Sequence, residues 1–186
     1  MTYLIRRMTA GEWRQLRAIR LEAVQDTPTA FSISYAELAA RPDVFWQERA
    51  AASGDGATFI ACDQNSDWVG SVSVEPLVEV PDHAHIHAVY VRAGHRGPAG
   101  LGARLVEAAV HFAEQHIDVA RLTLGVHESN ARALAFYRRV GFRLTDQVIP
   151  YRPNPVERCY IMEYPSFGRR VGGLVAPVES GVTPQA

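Results

Sequence analysis

The chain has 186 residues, of which 47% are hydrophobic and 21% charged, and its formal net charge is −1. That balance suits one soluble globular domain with a full-sized core, and it lacks the basic excess of a general nucleic-acid binder. No apolar run approaches the ~18–20 residues of a membrane span, and the first residues lack the apolar stretch of a secretory signal. A cytoplasmic protein without membrane or nucleic-acid partners is therefore expected. All 19 Lys+Arg residues are arginine. Cys62 and Cys159 sit far apart and outside any Cys-x-x-Cys pair, so both read as small buried hydrophobes rather than as a disulfide or a nucleophile.

In chain order, residues 3–7 alternate as a first strand. Residues 12–24 carry Trp13, Leu16, Ile19 and Ala23 at helical spacing, and Thr27-Pro28 ends that helix. Residues 31–38 read as a short helix or a loop, and 44–52 as a helix ending near Gly54. Residues 58–62 and 68–75 form a hairpin around Asp63–Asp67, whose side chains bond their own backbone. After a loop at 76–82 comes a strand at 83–91, then a glycine-containing loop at 92–100. Residues 101–116 form an amphipathic helix with Leu101, Leu105 and Phe112 on one face. An apolar strand at 119–126 and a helix at 130–140 follow, with Asn130 as N-cap and Gly141 as C-cap candidate. The last strands are expected at 142–148 and 158–164. The pattern implies an α/β (α+β) fold, a mixed, mostly antiparallel twisted sheet flanked by helices. Residues 1–165 form the domain, and 166–186 read as a Gly/Pro-rich flexible tail.

The stretch Val89-Tyr90-Val91, followed by Arg96-Gly97-Pro98-Ala99-Gly100-Leu101-Gly102-Ala103-Arg104-Leu105, places strand, glycine loop and helix start in sequence. Such a turn presents backbone N–H groups at the positive end of a helix, where phosphate binds. No Gly-Lys-Ser/Thr follows, so it is no Walker loop, and its place in mid-chain fits a dinucleotide fingerprint poorly. The second informative stretch is Asn130-Ala131-Arg132-Ala133-Leu134-Ala135-Phe136-Tyr137-Arg138-Arg139-Val140-Gly141-Phe142.

Together the two stretches resemble the GNAT superfamily of acyl-CoA-dependent N-acetyltransferases. The first is similar to its Arg/Gln-x-x-Gly-x-Gly/Ala pyrophosphate motif, the second to its Asn-x-x-Ala-x-x-Phe-Tyr-x-x-x-Gly-Phe motif. One departure stands out: Arg96 lies four residues before Gly100 instead of three, so either the loop carries an insertion or Gly97 takes the first motif position. The resemblance implies acetyl-CoA as acyl donor. It places Val89, Tyr90 and Val91 along the acetyl and pantetheine portion, beside a bulge where the strand splays from its neighbour. It places Arg96, Gly97, Ala99, Gly100, Leu101, Gly102 and Ala103 at the pyrophosphate. Asn130, with Ala133, either bonds the pantetheine arm or caps the helix. A homodimer is a family-level expectation.

Amide formation from a thioester needs a neutral amine, a hydrogen-bond donor for the developing oxyanion, and an acid for the departing thiolate. By resemblance Tyr137 supplies the acid and the N–H of Val89 the oxyanion donor; as a residue, Tyr137 reads equally as a buried aromatic. Glu75, ending the strand before the central one, is the candidate general base. His85 and His87, placed by the period of two on the same side as Val89 and Val91, are alternative relays. A metal set at His83, His85 and His87 is not expected, because no carboxylate or cysteine completes it. Glu128 reads as a favourable charge at a helix start. The acceptor, a small-molecule or peptide amine, should be chosen by residues 17–52 and the loops near Val78 and Tyr151. A domain that binds acetyl-CoA without turnover, sensing it or docking to a partner, and a nucleotide-binding domain unrelated to coenzyme A are the competing readings.

Overall fold

The computed structural model describes residues 2–51, 55–97, 100–165 and 167. The expected tail therefore falls outside the described residues except for Phe167, which is buried against the main core. Among the described residues, α-helices run at Trp13–Asp26 (α1), Tyr35–Ala39 (α2), Asp43–Ala51 (α3), Leu101–His116 (α4) and Ala131–Arg139 (α5). The strands are Leu4–Arg7 (β1), Ala57–Cys62 (β2), Trp68–Pro76 (β3), His83–Val91 (β4), Arg121–His127 (β5), Arg143–Tyr151 (β6) and Asn154–Glu163 (β7). They form one sheet in the order β1-β2-β3-β4-β5-β7-β6. Every neighbouring pair is antiparallel except β4 with β5, which α4 joins as a crossover.

The sheet is covered on both faces because its strands alternate. On β2, Ala57 and Ala61 enter a core built on α4, while Ile60 and Cys62 point into a second core with α1, α2 and α3. The α4 face contributes Leu101, Leu105, Val106, Ala109 and Phe112, and each large side chain so buried is worth about 1.5–3 kcal/mol. The α1 face contributes Leu16, Ile19, Ala23 and Val24, packed on Trp46 of α3. A Cβ on Gly70 would come within 2.9 Å of a Leu105 methyl and 3.0 Å of the Tyr90 carbonyl, so α4 reaches β3 this closely because position 70 has no side chain.

Two open points are resolved by turn chemistry. In the segment 31–38 a short helix forms because Ser34 and Glu37 make a capping box: Ser34 Oγ accepts from the Glu37 N–H at 3.2 Å, and the Glu37 carboxylate accepts from the Ser34 N–H at 2.9 Å. The last two strands are longer than expected and meet in a turn at Arg152 and Pro153. Pro150 and Pro155 obscure this in the sequence, but Pro150 is on the edge strand β6, and Pro155 on β7 lies beyond the residues that pair with β5.

Candidate active site

The geometry of the site begins with an irregularity in β4. Its pairing with β3 shifts by one residue between Ser71 and Ser73, opposite Tyr90 and His87. Ala88 takes a left-handed φ of 58°. This is a β-bulge, and it reverses the facing of the strand. Before it, Ala84 and Ile86 enter the α4 core; after it, Val89 and Val91 do so, and Tyr90 enters the α1 core. The expectation that His85 and His87 share a side with Val89 and Val91 is therefore corrected, because the extra residue breaks the period of two. Pairing of β4 with β5 covers only His83 to His85. Beyond that the strands part, and Val89 has no partner residue in either neighbouring ladder. A half-buried backbone position outside the ladder in this way invites a ligand.

A cleft of about 900 Å³ fills the parting. Val89, Tyr90, Val91, Arg96, Gly97, Gly100, Leu101, Gly102, Ala103, Asn130, Ala133 and Tyr137 all line it. Ala99, with Pro98, lies outside the described residues. At one end stands the start of α4. Its N-cap is Gly100, with φ 66° and no side-chain cap, so the N–H groups of the first turn are left for a ligand. A Cβ at Gly97 or Gly100 would meet no atom within 4 Å, and both have positive φ. The backbone there is bare and open to an approaching anion. Gly102 differs, since its Cβ would sit 3.4 Å from Phe136, fixing α4 against α5. Arg96 is already engaged: its guanidinium pairs with Asp26 and donates to the Val91 carbonyl at 2.6 Å. Tyr90 turns its side chain away, donating to Glu22 at 3.1 Å. Its place in the site is through its backbone.

From α5 come Asn130 and Tyr137. The Asn130 side chain accepts from the Ala133 N–H at 3.0 Å, so it caps the helix. Gly141 ends it with φ 103°, and a Cβ there would lie 2.9 Å from the Tyr164 ring. Tyr137 is wedged between Phe136 and Phe142, with ring centroids 5.0 and 5.9 Å away. Its hydroxyl has no hydrogen-bond partner among the described residues, and burial pushes its pKa upward. The phenol is thus protonated throughout the neutral range and free to donate.

The opposite end of the cleft is lined by His85 and His87. Glu75 does not line it. The carboxylate lies 3.1 Å from Nε2 of His87 and 3.7 Å from Arg49. The His87 contact is close but its geometry is poorly aligned for a hydrogen bond. The His87 ring, with Arg49 behind it, holds Glu75 down at about 2. His87 and His85 do line the cleft. Burial lowers both, His85 to about 4, so both rings are neutral at pH 7. His83 and His85 share the Thr123 hydroxyl, at 2.7 and 3.2 Å.

Sequence reasoning passed over two lining residues, His127 and Phe136. His127 is buried, bonded to Ser129 at 2.8 Å and Glu157 at 3.1 Å, and meets the Tyr151 ring edge to face. Tyr151 closes this end of the cleft, donating to the Phe31 carbonyl at 2.9 Å. His127 ends β5 and Phe136 lies on α5, while the β6–β7 hairpin supplies the Tyr151 and Glu157 that meet His127. Val78, expected near the acceptor, is fully exposed and outside the cleft lining. Glu128 does not serve the start of α5: it accepts from the Arg158 N–H at 2.8 Å and pairs with that guanidinium. Burial raises the thiols of Cys62 and Cys159, which makes both poor nucleophiles.

A strand that parts from its parallel neighbour at a bulge, with an uncapped helix N-terminus at one end of the gap, defines an acyl-coenzyme A cleft. The chain belongs to the acetyltransferase (GNAT) family, whose sequence profile matches residues 16–142. The fold is similar to a GCN5-related N-acetyltransferase from Kribbella flavida, with TM-score 0.68 and 17% identity over 87% of this chain and 96% of that one. It is similar also to ribosomal-protein-alanine N-acetyltransferase from Brucella melitensis, with TM-score 0.67 and 22% identity over 86% and 98%. The third is Arabidopsis thaliana NAA60 in complex with acetyl-CoA, with TM-score 0.65 and 17% identity over 88% and 98%. No curated protein matches the sequence. Acetyl-CoA is accordingly the acyl donor that family and cleft support.

Proposed function

We propose that this protein is an N-acetyltransferase that moves an acetyl group from acetyl-CoA to a primary amine by direct attack. The observation that carries this is Tyr137, a protonated phenol with no internal hydrogen-bond partner, on the wall of a cleft whose other end is a bare anion-binding helix start. Acetyl-CoA supplies the acetyl thioester. The first turn of α4 holds its pyrophosphate, and the backbone of Val89, unpaired in both ladders, meets its pantetheine amides.

The chain's own groups account for the rest of the balance. The amine nitrogen gains a bond to the acetyl carbon and gives up a proton, the carbon–sulfur bond breaks, and the sulfur takes a proton. Tyr137 supplies the proton to sulfur. The Val89 N–H faces the carbonyl oxygen as charge builds on it. His87, neutral and on the wall, receives the amine proton directly or through water. Glu75 stands behind it as a positioning residue whose negative charge favours the protonated ring. A ring on the cleft wall backed by a carboxylate suits a base that must take up a proton briefly and release it.

The reading is tested with Tyr137→Phe. Loss of one positioned acid lowers kcat about 10²-fold or more, while the acetyl-CoA Kd stays within about threefold. An equal loss in both would make Tyr137 a packing residue. A non-catalytic acetyl-CoA sensor, the second reading, has no specific observation in its favour.

A further inference from the structure

Arg20 has no role in the chemistry above, and its surroundings are unusual. It lies on α1 and lines the cleft, with Nη1 wholly enclosed and without a partner. Among the described residues it donates no hydrogen bond and joins no ion pair. Its one organised contact is the Phe31 ring, 5.4 Å from the guanidinium carbon. Arg49 and Glu75 are the charges near enough to act on it, and Glu75 is already held by His87 and Arg49. Two arginines thus face one carboxylate, which leaves a surplus positive charge at a protein wall. A buried charge is normally paired; an unpaired one facing a cleft is a waiting half of an ion pair.

The position along α1 says which ligand completes it. Asp26 pairs with Arg96 beside the phosphate loop, and Glu22 pairs with Arg92 one turn earlier. Arg20 is six residues before Asp26, about 9 Å back along the helix axis, on the side of His87 and Glu75. The phosphates belong at Gly97 to Ala103, so Arg20 stands at the acceptor end of the cleft.

We propose that the acceptor is an amine that also carries an oxyanion, a carboxylate in the simplest case, and that Arg20 binds that group and so orients the amine toward the acetyl carbon. With Nη1 enclosed, the edge left for a ligand is Nε with Nη2, a planar fork that matches a carboxylate with two parallel hydrogen bonds. A simple amine or polyamine would leave Arg20 unpaired and add a second positive charge to the same wall. This inference rests on the acetyltransferase reading for its turnover assay but not for its binding assay.

The experiment compares acceptors differing only in charge: L-glutamate, L-methionine and β-alanine, each against its own carboxamide, with thiol release followed in the presence of acetyl-CoA. The acid is expected to exceed the amide in kcat/KM by about 100-fold for at least one pair. Arg20→Met and Arg20→Gln should bring that ratio to about one, and Arg20→Lys should restore part of it. Equal use of acid and amide by the unaltered protein would overturn the proposal. So would an Arg20→Met variant that keeps the ratio and instead weakens acetyl-CoA binding, which would place a coenzyme phosphate at Arg20. If no amine is turned over, the acetyltransferase reading fails, and calorimetry with the coenzyme A-loaded protein decides the inference separately. Binding of the acid lost in Arg20→Met supports it; no binding of any acid overturns it. Fold is checked by thermal unfolding, where removing an unpaired buried charge should leave the midpoint unchanged or raise it.

Discussion

Glu75 and His87 illustrate how two residues acquire a joint role that neither has alone. The carboxylate is held at about 2 by the His87 ring and Arg49, so by itself it is a weak base. His87 is lowered by burial, with Glu75 pulling partly the other way. Removing the carboxylate removes that pull, so the ring's pKa must fall further. Glu75→Gln should therefore move the acidic limb of the kcat/KM profile to lower pH and reduce kcat near neutrality about tenfold, since a weaker base takes the amine proton less well. An unmoved acidic limb would separate Glu75 from the chemistry. The sequence offers Glu75 and both histidines as candidates but not their order. The order depends on the facing of β4, and Ala88, which changes that facing, is an ordinary alanine without any signal of a left-handed φ. Arg20 falls in the sequence segment expected to choose the acceptor, but its lack of an ion-pair partner is a property of Arg49, Glu75 and His87, which the fold brings near it.

At the scale of elements, the site is a strand, a loop and two helix ends held in register. The β4 bulge and the early end of the β4–β5 ladder open the cleft. Gly102 against Phe136 and Gly141 against Tyr164 bring α4 and α5 to its rim. The Gly100 position is where loop conformation and ligand access coincide: φ is 66° and the space beyond is open. Gly100→Asp introduces a strained backbone and a negative charge at the helix start. Acetyl-CoA affinity, measured by calorimetry, should fall at least 100-fold; unchanged affinity would put the pyrophosphate elsewhere. These elements were readable in sequence because glycines, a capping asparagine and a Phe-Tyr pair are local signals. The bulge was expected only through family resemblance, and the length of the β6–β7 hairpin was hidden by its prolines.

For the molecule as a whole, the same buried histidines tie stability to pH. His85 is lowered to about 4 from an ordinary 6.5, so between those values the unfolded chain binds the extra proton and the folded one does not. Stability is then full above about pH 6.5 and is lost as pH falls toward 4. The depressed Glu12 and Glu75, each at about 2, act in a lower window, roughly pH 4.5 down to 2, and do not obscure it. His85→Gln should flatten the decline between pH 7 and 4.5 by an amount on the order of 2 kcal/mol in denaturant unfolding. An identical slope in both proteins would mean that His85 titrates normally. Among the described residues no helix is long and apolar enough to cross a membrane. The two-faced sheet follows from hydrophobic periodicity that the sequence displays, its strand order does not, and the cleft is the product of one place where that periodicity breaks.

The central claim is that this cleft binds acetyl-CoA and passes its acetyl group to an amine. The most direct measurement is calorimetric titration with acetyl-CoA followed by thiol release across amines, amino acids, aminoglycosides and peptides. Saturable binding with thiol release that depends on one class of amine is the predicted result. Binding with no release from any amine would contradict the transferase reading, and no binding at all would contradict the cleft's assignment to coenzyme A.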